Sequence, residues 1–481
     1  PDDDARPLLL THVHVIDVRT GTVMNDAHVM IDDAGRIAAL TPGPVEVGEG
    51  CRVLDMKGRY LIPGLIDAHC HSTASPVFAM RMTDLARHAF QQKMNYVNTI
   101  ESGVTTIRDM GAFPGLLHHF IRRIEKGDLP GPRVVYCNSM INVRGGHPEI
   151  PPSDVNIFAR PAALFIGMIM ANITGIDQLN RALEENAEGA SFIKLTLDNQ
   201  TLFCKKNRTI PVYTDEEMAI IFRFAEARGL PVVGHHQFEF GFNRAMDYPF
   251  HSIEHVATDV RLTDEQIKTM AERKTAIVPT LTLAQSFLMD EAYDVVPDVF
   301  HTDTVQLELV ERRRYFEQEA SAHCHPVLHA HNLAMTAKYR RYPRESLFDR
   351  KIFLVDPDLY VNMAIKGFDN LKRMKEAGVL IGCGIDAGMP FNYFGGLYRE
   401  FEIMARLGFS PLEILQCATV NNAKILCIDD RAGTLEPGKW ADMVAFDANP
   451  LDDIRVLRRP SIVFKEGRMM FSRNPLDLEP I

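Results

Sequence analysis

Residues 58–431 carry eight apolar, strand-like runs separated by amphipathic helical intervals, and both ends of the chain read as short strands joined by turns. These observations predict an α/β protein: a (β/α)8 TIM barrel with a small β-sandwich domain formed by both termini, residues 1–57 and 432–481. The length of 481 residues suits one large barrel plus one smaller unit.

Near the N-terminus, "HVHVIDV" alternates in polarity, "HVMIDDAGRIAAL" reads as a hairpin around Ala34 and Gly35, and "RVLDMKG" closes the segment. The barrel runs follow as "YLIPGLIDAH", "VTTIRDM", "RVVYCN", "SFIKLTL", "LPVVGHH", "HSIEHV", "TAIVPTL" and "VLIGCGID". Between the fourth and fifth, "TDEEMAIIFRFAEARG" has Thr214 as N-cap, Glu217 at the third helical position and Gly229 as terminator. The interval from Asp290 to about Asn370 is longer than one barrel helix needs, so it reads as a helical insertion and a candidate lid near the barrel mouth. "GTLEPGKWADMVAFDANP" and "SIVFKEGRMMF" supply the C-terminal strand pairs.

Composition narrows the function. A formal charge of −11, no basic block and a single Trp argue against nucleic-acid binding and favour a small-molecule or short peptide partner. The longest apolar run, "AALFIGMIMA", is about half of the ~20 residues a membrane span requires, and no charged-then-apolar leader opens the chain. A soluble mature chain, cytoplasmic or secreted, is the expectation, with no membrane partner. The eight cysteines form no CxxC pair, and Cys137 and Cys383 sit in apolar runs as free thiols do. Sequons at Asn172, Asn199 and Asn207 would permit glycosylation in a secreted product.

In such barrels chemistry gathers where the strands end. His69 and His71 end the first run, and their two-residue spacing on a strand turns both imidazoles to one face. His12/His14, His323/His325 and His329/His331 share that spacing, but the first pair lies on a terminal strand, as a solvated face, and the others in the insertion, as surface or lid residues. At other barrel strand ends stand Lys194, His235, His255 and Asp386. A lysine in an apolar strand loses proton affinity by desolvation, and its neutral amine can take up carbon dioxide as a carbamate that bridges two divalent ions. Asp386 also suits a helix N-cap in "GIDAGMP".

"PGLIDAHCH", "GVTTIRD", "SIEHV", "GVLIGCGIDAG", "LGFSPLEILQCATVNNAKIL" and "AGTLEPGKWADMVAFDANPLDDI" together resemble the amidohydrolase superfamily, in order and over nearly the whole chain. The nearest subgroup is that of metal-dependent prolidases, N-acyl-amino-acid hydrolases and ochratoxin-hydrolysing amidases; imidazolonepropionases are more distant. The resemblance implies a barrel with a flanking β-sandwich, a homo-oligomer (tetramer or octamer) and two divalent metal ions, usually zinc. It implies His69 and His71 on the first metal, N6-carboxylated Lys194 as bridge, His235 and His255 on the second, and Asp386 joining the first.

The fifth strand holds adjacent histidines. Counting from Pro231, as the family pattern does, selects His235 and turns His236 the other way, whereas His236 with Glu239 resembles the HxxE of mononuclear deaminases in the same superfamily. The first choice implies cleavage of an amide bond to an amino acid, in a dipeptide, an Xaa-Pro substrate or an N-acyl or ochratoxin-like compound, by a metal-bridging hydroxide. Asp386 would accept the water's proton and pass it to the departing amine. In "NVRGGHPE", His147 is a candidate for holding the carbonyl or the leaving group, and Arg144 for gripping a substrate carboxylate. Arg108 reads as a structural partner of a nearby acid, Cys70 as pointing away from the metals, and Phe165 to Met170 as a buried helix or an entrance lining. The alternatives are a mononuclear deaminase or cyclic-amide hydrolase, and a non-catalytic barrel scaffold.

Overall fold

The computed structural model describes residues 7–43, 48, 50–77, 82–149, 167, 169–201, 209–288, 297–339 and 357–474. The chain begins with β1 (Leu8–Ile16), β2 (Val23–Ile31), β3 (Ile37–Thr41), β4 (Arg52–Asp55) and β5 (Tyr60–Pro63). The antiparallel β1–β2 pair sets Leu8 opposite Ile31 and Ile16 opposite Val23, and its register slips twice between. Alternation along β1 buries Val13 and Val15 while His12 stays exposed, which is the period of two that marked this segment as strand.

"YLIPGLIDAH" is two strands. Tyr60–Pro63 belongs to the terminal sheet, and Leu65–Cys70 (β6) starts a parallel one. The chain crosses over at Gly64, where a Cβ would lie 2.1 Å from Thr105 Oγ1, and Gly64 N–H donates to Asp442 O. Sheet membership at this end therefore runs past residue 57 to Pro63.

β6 pairs in parallel with β7 (Val104–Asp109), and β7 with β8 (Arg133–Tyr136). The other parallel sheet is built from β9 (Met140–Val143), β10 (Met170–Ile173), β11 (Ile193–Thr196), β12 (Val232–His235), β13 (Ser252–Glu254) and β14 (Ala276–Val278), in the order β10-β9-β11-β12-β13-β14. Seven predicted runs land on these strands; β9 and β10 were not foreseen, because β10 emerges at the end of an apolar run with helical spacing. The protein is thus α/β with parallel sheets. The chain then returns to the terminal sheet through β15 (Met443–Phe446), β16 (Ile462–Lys465) and β17 (Arg468–Ser472), in the order β17-β16-β15-β5-β1-β2-β3 with β4 also on β1.

The eighth run, "VLIGCGID", forms no regular strand. It makes single parallel bridges from Ile381 to Ile277 and from Ala387 to Cys70, so residues 380–387 lie between β14 and β6. Main-chain bonds join it to both neighbours, among them Gly382 N–H to Ile277 O and Ala68 N–H to Cys383 O, and a side chain supplements them: Asn422 Oδ1 accepts from Cys383 N–H at 2.9 Å, while its Nδ2 donates to Ile66 O at 2.6 Å and Cys383 O at 2.7 Å. Gly384 permits the close approach to β6, since a Cβ there would lie 2.7 Å from His69 N.

The helix Asp215–Arg228 starts with a capping box between Thr214 and Glu217 and ends at Gly229 with φ 64°. Between 290 and 370 the described segments include helices Pro297–Phe300, Asp303–Gln318, Pro326–Tyr339 and Pro357–Asn362. Of the Phe165–Met170 run, residues 165, 166 and 168 lie outside the described residues; Ile169 and Met170 pack with Phe113 and Met140. Of the sequons, Asn172 lies on β10 and accepts from Asn142 Nδ2, Asn199 is half-buried, and Asn207 lies outside the described residues. The described cysteines are all free thiols, and among the described residues no helix is long and apolar enough to cross a membrane.

Replacing Asn422 with Ala removes the side-chain partner of Cys383 N–H and of Ile66 O, at about 1–3 kcal/mol each before relaxation, while Cys383 O keeps the N–H of Ala68. We expect Asn422→Ala to lower the urea midpoint by an amount equivalent to about 2 kcal/mol or more. An unchanged midpoint would show that the 380–387 segment does not depend on this side chain.

Candidate metal centre

His69 lies one residue before the end of β6 and His71 just beyond it. His235 ends β12, His255 follows β13, Lys194 is the second residue of β11, and Asp386 stands in the 380–387 segment. Two of these positions are left-handed without being glycine: His255 has φ 73° and Asp386 φ 55°. That conformation costs roughly 1–2 kcal/mol for an L-residue and persists where the surroundings over-determine it. Here main-chain bonds do so, from His255 N–H to Val278 O and from Asp386 N–H to His69 O.

The side chains converge. Asp386 Oδ1 is 3.4 Å from His69 Nε2 and 3.3 Å from His71 Nε2. His255 Nε2 is 2.9 Å from His235 Nδ1, and the His69 and His255 rings are 4.8 Å apart. One ligating atom from each of His69, His255 and Asp386 falls within a mutual 4.8 Å. Lys194 is 1% exposed, and its Nζ has no hydrogen-bond partner. Its charge is felt by His69, His235, His255 and Asp386, which places it among them.

Each imidazole is oriented from behind. His69 Nδ1 meets Glu254 Oε2 at 2.8 Å, His71 Nδ1 meets Gly111 O at 2.8 Å, and His255 Nδ1 meets Thr280 Oγ1 at 2.6 Å, so all three turn Nε2 toward the cluster. His235 does the reverse, presenting Nδ1 to His255 while its Nε2 stands 3.9 Å from Asp198 Oδ2. Burial pushes the proton affinity of His69, His235 and His255 down, which keeps these rings neutral and their lone pairs available. Burial acts the same way on His71, but the hydrogen bond and charge of Asp386 outweigh it and raise its pKa. Burial pushes Lys194 down to about 8. For Asp386 burial raises the pKa, yet the neighbouring His69 and His71 win and the carboxyl is held below its usual range. Neutral imidazoles, an ionised carboxylate and the orphaned, buried Lys194 Nζ suit divalent cations.

Behind the cluster lies an ion pair that sequence reasoning only half identified. Arg108 donates to Ala68 O at 2.7 Å, Ser252 Oγ at 3.1 Å and Glu254 Oε1 at 2.7 Å. The acid paired with Arg108 is Glu254, which also holds His69. Its signal was present in "SIEHV", an acid inside a short apolar strand, but nothing in the spacing tied it to "TTIRDM". Cys70 Sγ turns away to Arg108 O.

His147 is buried, stacks on His235 with ring centres 4.7 Å apart, and is pushed down to about 3 by burial. Arg144 is exposed just past β9, and no hydrogen bond or ion pair joins its side chain to the cluster. His236 is fully buried but turned elsewhere, its ring 5.7 Å from Phe242, and Glu239 accepts from Gln266 Nε2 at the start of a helix. Among the other histidine pairs, His12 is exposed beside Asp55, and His14 is half-buried against Tyr60. His329, expected at the surface or in a lid, is buried against Tyr393, because the helix Pro326–Tyr339 turns it inward while His331 faces Asp84.

Histidines and a carboxylate gathered where parallel strands end, with an unpaired buried lysine inside β11, suit the centre of a hydrolytic enzyme. The chain belongs to the amidohydrolase family, whose pattern matches residues 60–470. It is 23% identical over 438 residues to ochratoxinase of Aspergillus niger, covering 85% of this chain and 75% of that one. Its fold is shared by a Xaa-Pro dipeptidase crystallised with methionine in the active site, at TM-score 0.72 and 23% identity over 96% of this chain and 99% of the other. It is shared also by a putative prolidase from Bifidobacterium longum, at TM-score 0.69 and 24% identity over 98% and 96%.

Removing one partner of a buried ion pair strands the other charge, at about 3–5 kcal/mol. We therefore expect Glu254→Gln, measured with chelator present, to lose that order of stability at pH 7. Glu254 is held at about 2, below its ordinary 4.5, chiefly by Arg108 acting against burial. Its contribution is complete above pH 4.5 and is lost as pH falls toward 2, so the variant should flatten the stability profile in that window. An equally steep acid limb in the variant would refute the assignment.

Proposed function

We propose that the protein is a binuclear-metal hydrolase that cleaves an amide bond to an amino acid, in a dipeptide, an Xaa-Pro substrate or an N-acyl or ochratoxin-like compound. The two parallel sheets, with residues 380–387 lying between β14 and β6, are read as one eight-stranded barrel in which β8 and β9 count as one strand and β10 stands outside the eight; its domain is read as residues 58–431 except for β5, which joins the terminal sheet. The terminal strands are read as its β-sandwich companion.

The observation that carries the reading is Lys194, buried without a partner amid His69, His235, His255 and Asp386. With a pKa of about 8, roughly a tenth of its amine is neutral at pH 7. The neutral amine adds to carbon dioxide, the N–C bond forms, one proton leaves, and the carbamate offers two oxygens to two cations. In this reading His69, His71 and Asp386 hold one ion and His235 and His255 the other, with carboxylated Lys194 between them. The imidazole and carboxylate donors favour zinc. When bound, such ions supply an acidified water and a polarising contact for the scissile carbonyl.

The chain's own groups do the rest. Asp386, with Oδ1 facing His69 and His71, accepts the proton of the attacking water and returns it to the departing amine nitrogen. His147, neutral and stacked on His235, offers a ring N–H to the substrate carbonyl or leaving group. Arg144, exposed past its strand end, is free to take a substrate carboxylate as a fork. The substrate class also draws on what the relatives are named for, ochratoxinase and Xaa-Pro dipeptidase. The deaminase alternative would need His236 and Glu239 at the centre, and Glu239 is engaged with Gln266.

The test is release of free amino acid from a panel of N-acyl amino acids, Xaa-Pro dipeptides and ochratoxin A by zinc-loaded protein. We expect turnover on at least one class, two metal ions per chain, and a fall in kcat of about 10²–10⁴ for Asp386→Asn. Lys194→Met should retain at most one ion. One ion per chain in the wild type with an unmodified Lys194 would instead favour the deaminase reading, and an Asp386 variant of unchanged activity would favour a scaffold.

A further inference from the structure

His255 is held from behind by a hydroxyl, where His69 has a carboxylate and His71 a carbonyl. Its Nδ1 meets Thr280 Oγ1 at 2.6 Å, and both residues are buried, at 1% and 0% exposure. Thr280 lies two residues past β14 and has φ 51°. A β-branched residue in that region is an outlier, and it keeps its place where the surroundings over-determine it.

Part of that constraint comes from outside the parallel sheets. Glu400, in the helix Tyr398–Arg406, is 0% exposed and reaches the two residues that follow Thr280. Its Oε1 accepts from Leu281 N–H at 2.7 Å and its Oε2 from Thr282 N–H at 2.8 Å. On the other side of the turn, Thr280 O accepts from Leu283 N–H at 3.1 Å. Two adjacent main-chain donors on one carboxyl fix direction as well as position. Burial pushes the Glu400 carboxyl up to about 8 against the pull of those two N–H groups. In either state of protonation each oxygen keeps a lone pair for the turn.

The peptide that links Thr280 to Leu281 therefore cannot rotate without breaking a bond to Glu400, and its rotation would carry the Thr280 hydroxyl off His255. Groups that orient a ligating histidine typically carry about 10–100-fold in metal affinity.

We propose that Glu400 is a positioning residue of the metal centre: through the turn Thr280–Thr282 it sets the hydroxyl that orients His255, and so sets how tightly His255 holds a divalent ion. The inference rests on the reading of His255 as a metal ligand. It assigns part of the zinc affinity to a helix that supplies no ligand.

The test is a double-variant cycle read as zinc affinity. The whole chain, stripped of metal, is titrated with zinc against a competing chelating dye, and circular dichroism checks the fold of each variant. Glu400→Gln keeps the shape but turns an amide NH2, which cannot accept, against one of the two N–H groups. It should weaken one zinc ion by about 10–100-fold, and Thr280→Val, which removes the hydroxyl, by a similar factor. Thr280→Ser, which keeps the hydroxyl, should bind within about threefold of the wild type. Both changes act on one hydrogen bond, so the double variant Glu400→Gln/Thr280→Val should fall no more than about threefold below the weaker single variant. Unchanged zinc affinity in Glu400→Gln overturns the proposal. So do losses that multiply in the double variant, the mark of general loosening, and a loss in Thr280→Ser as large as that in Thr280→Val. Should Glu400→Gln fail to fold, Glu400→Asp, which keeps two acceptors on a shorter stem, takes its place in the cycle. Zinc alone is the probe, so a wild type that binds zinc yet hydrolyses no member of the substrate panel tells against the proposed activity and leaves the cycle readable.

Discussion

The ion pair between Arg108 and Glu254 is the constraint on which the centre depends. Both residues are essentially inaccessible, at 1% and 0% exposure, and taking two charges out of water costs several kcal/mol per ion. The pair is tolerable because every strong hydrogen-bonding direction is used, through Ala68 O, Ser252 Oγ and His69 Nδ1. In being satisfied, it ties β7, β13 and β6 at one level. It also decides which nitrogen His69 offers, since the proton on Nδ1 faces Glu254 and the lone pair on Nε2 faces Asp386. Gly111 O and Thr280 Oγ1 repeat that logic for His71 and His255. The site is therefore oriented by groups that never face it.

Much of this was legible in the sequence because strands buried on both faces leave a coarse signal. Seven apolar runs became strands, and chemistry-bearing residues at their ends could be collected without knowing a single contact. Choosing His235 over His236 rested on counting from Pro231 as the family pattern does, and strand alternation then sent His236 to the opposite face. What escaped was non-local. Glu254 stood beside a candidate ligand, but its partners Arg108 and His69 are far off in sequence. The inward turn of His329 depends on a helix whose phase the histidine spacing does not report. The eighth run has strand composition and main-chain bonds to both neighbours but no regular strand, since Asn422, forty residues on, takes the N–H of Cys383.

That substitution of a side chain for backbone bears on the chemistry. A regular strand through residues 380–387 would hold Asp386 in the extended region, whereas the observed segment leaves it at φ 55° with its carboxylate between two imidazoles. Asn422 adds side-chain bonds to the main-chain ones that hold the segment to β6, and Gly382 and Gly384 let it approach where a Cβ would strike Asn422 or His69. Local irregularity and a precise carboxylate position have the same origin.

The pairing of β5 with β15 has a consequence for how the molecule comes into being. Ile62 lies opposite Val444, so this edge of β5 has no partner until the parallel sheets between them have been made. Throughout synthesis of the parallel sheets an apolar strand edge stays open, the kind of surface that invites wrong partners. Completion of the terminal sheet therefore follows synthesis of the parallel sheets. Strands made after those sheets act as the closure of a sheet begun before them.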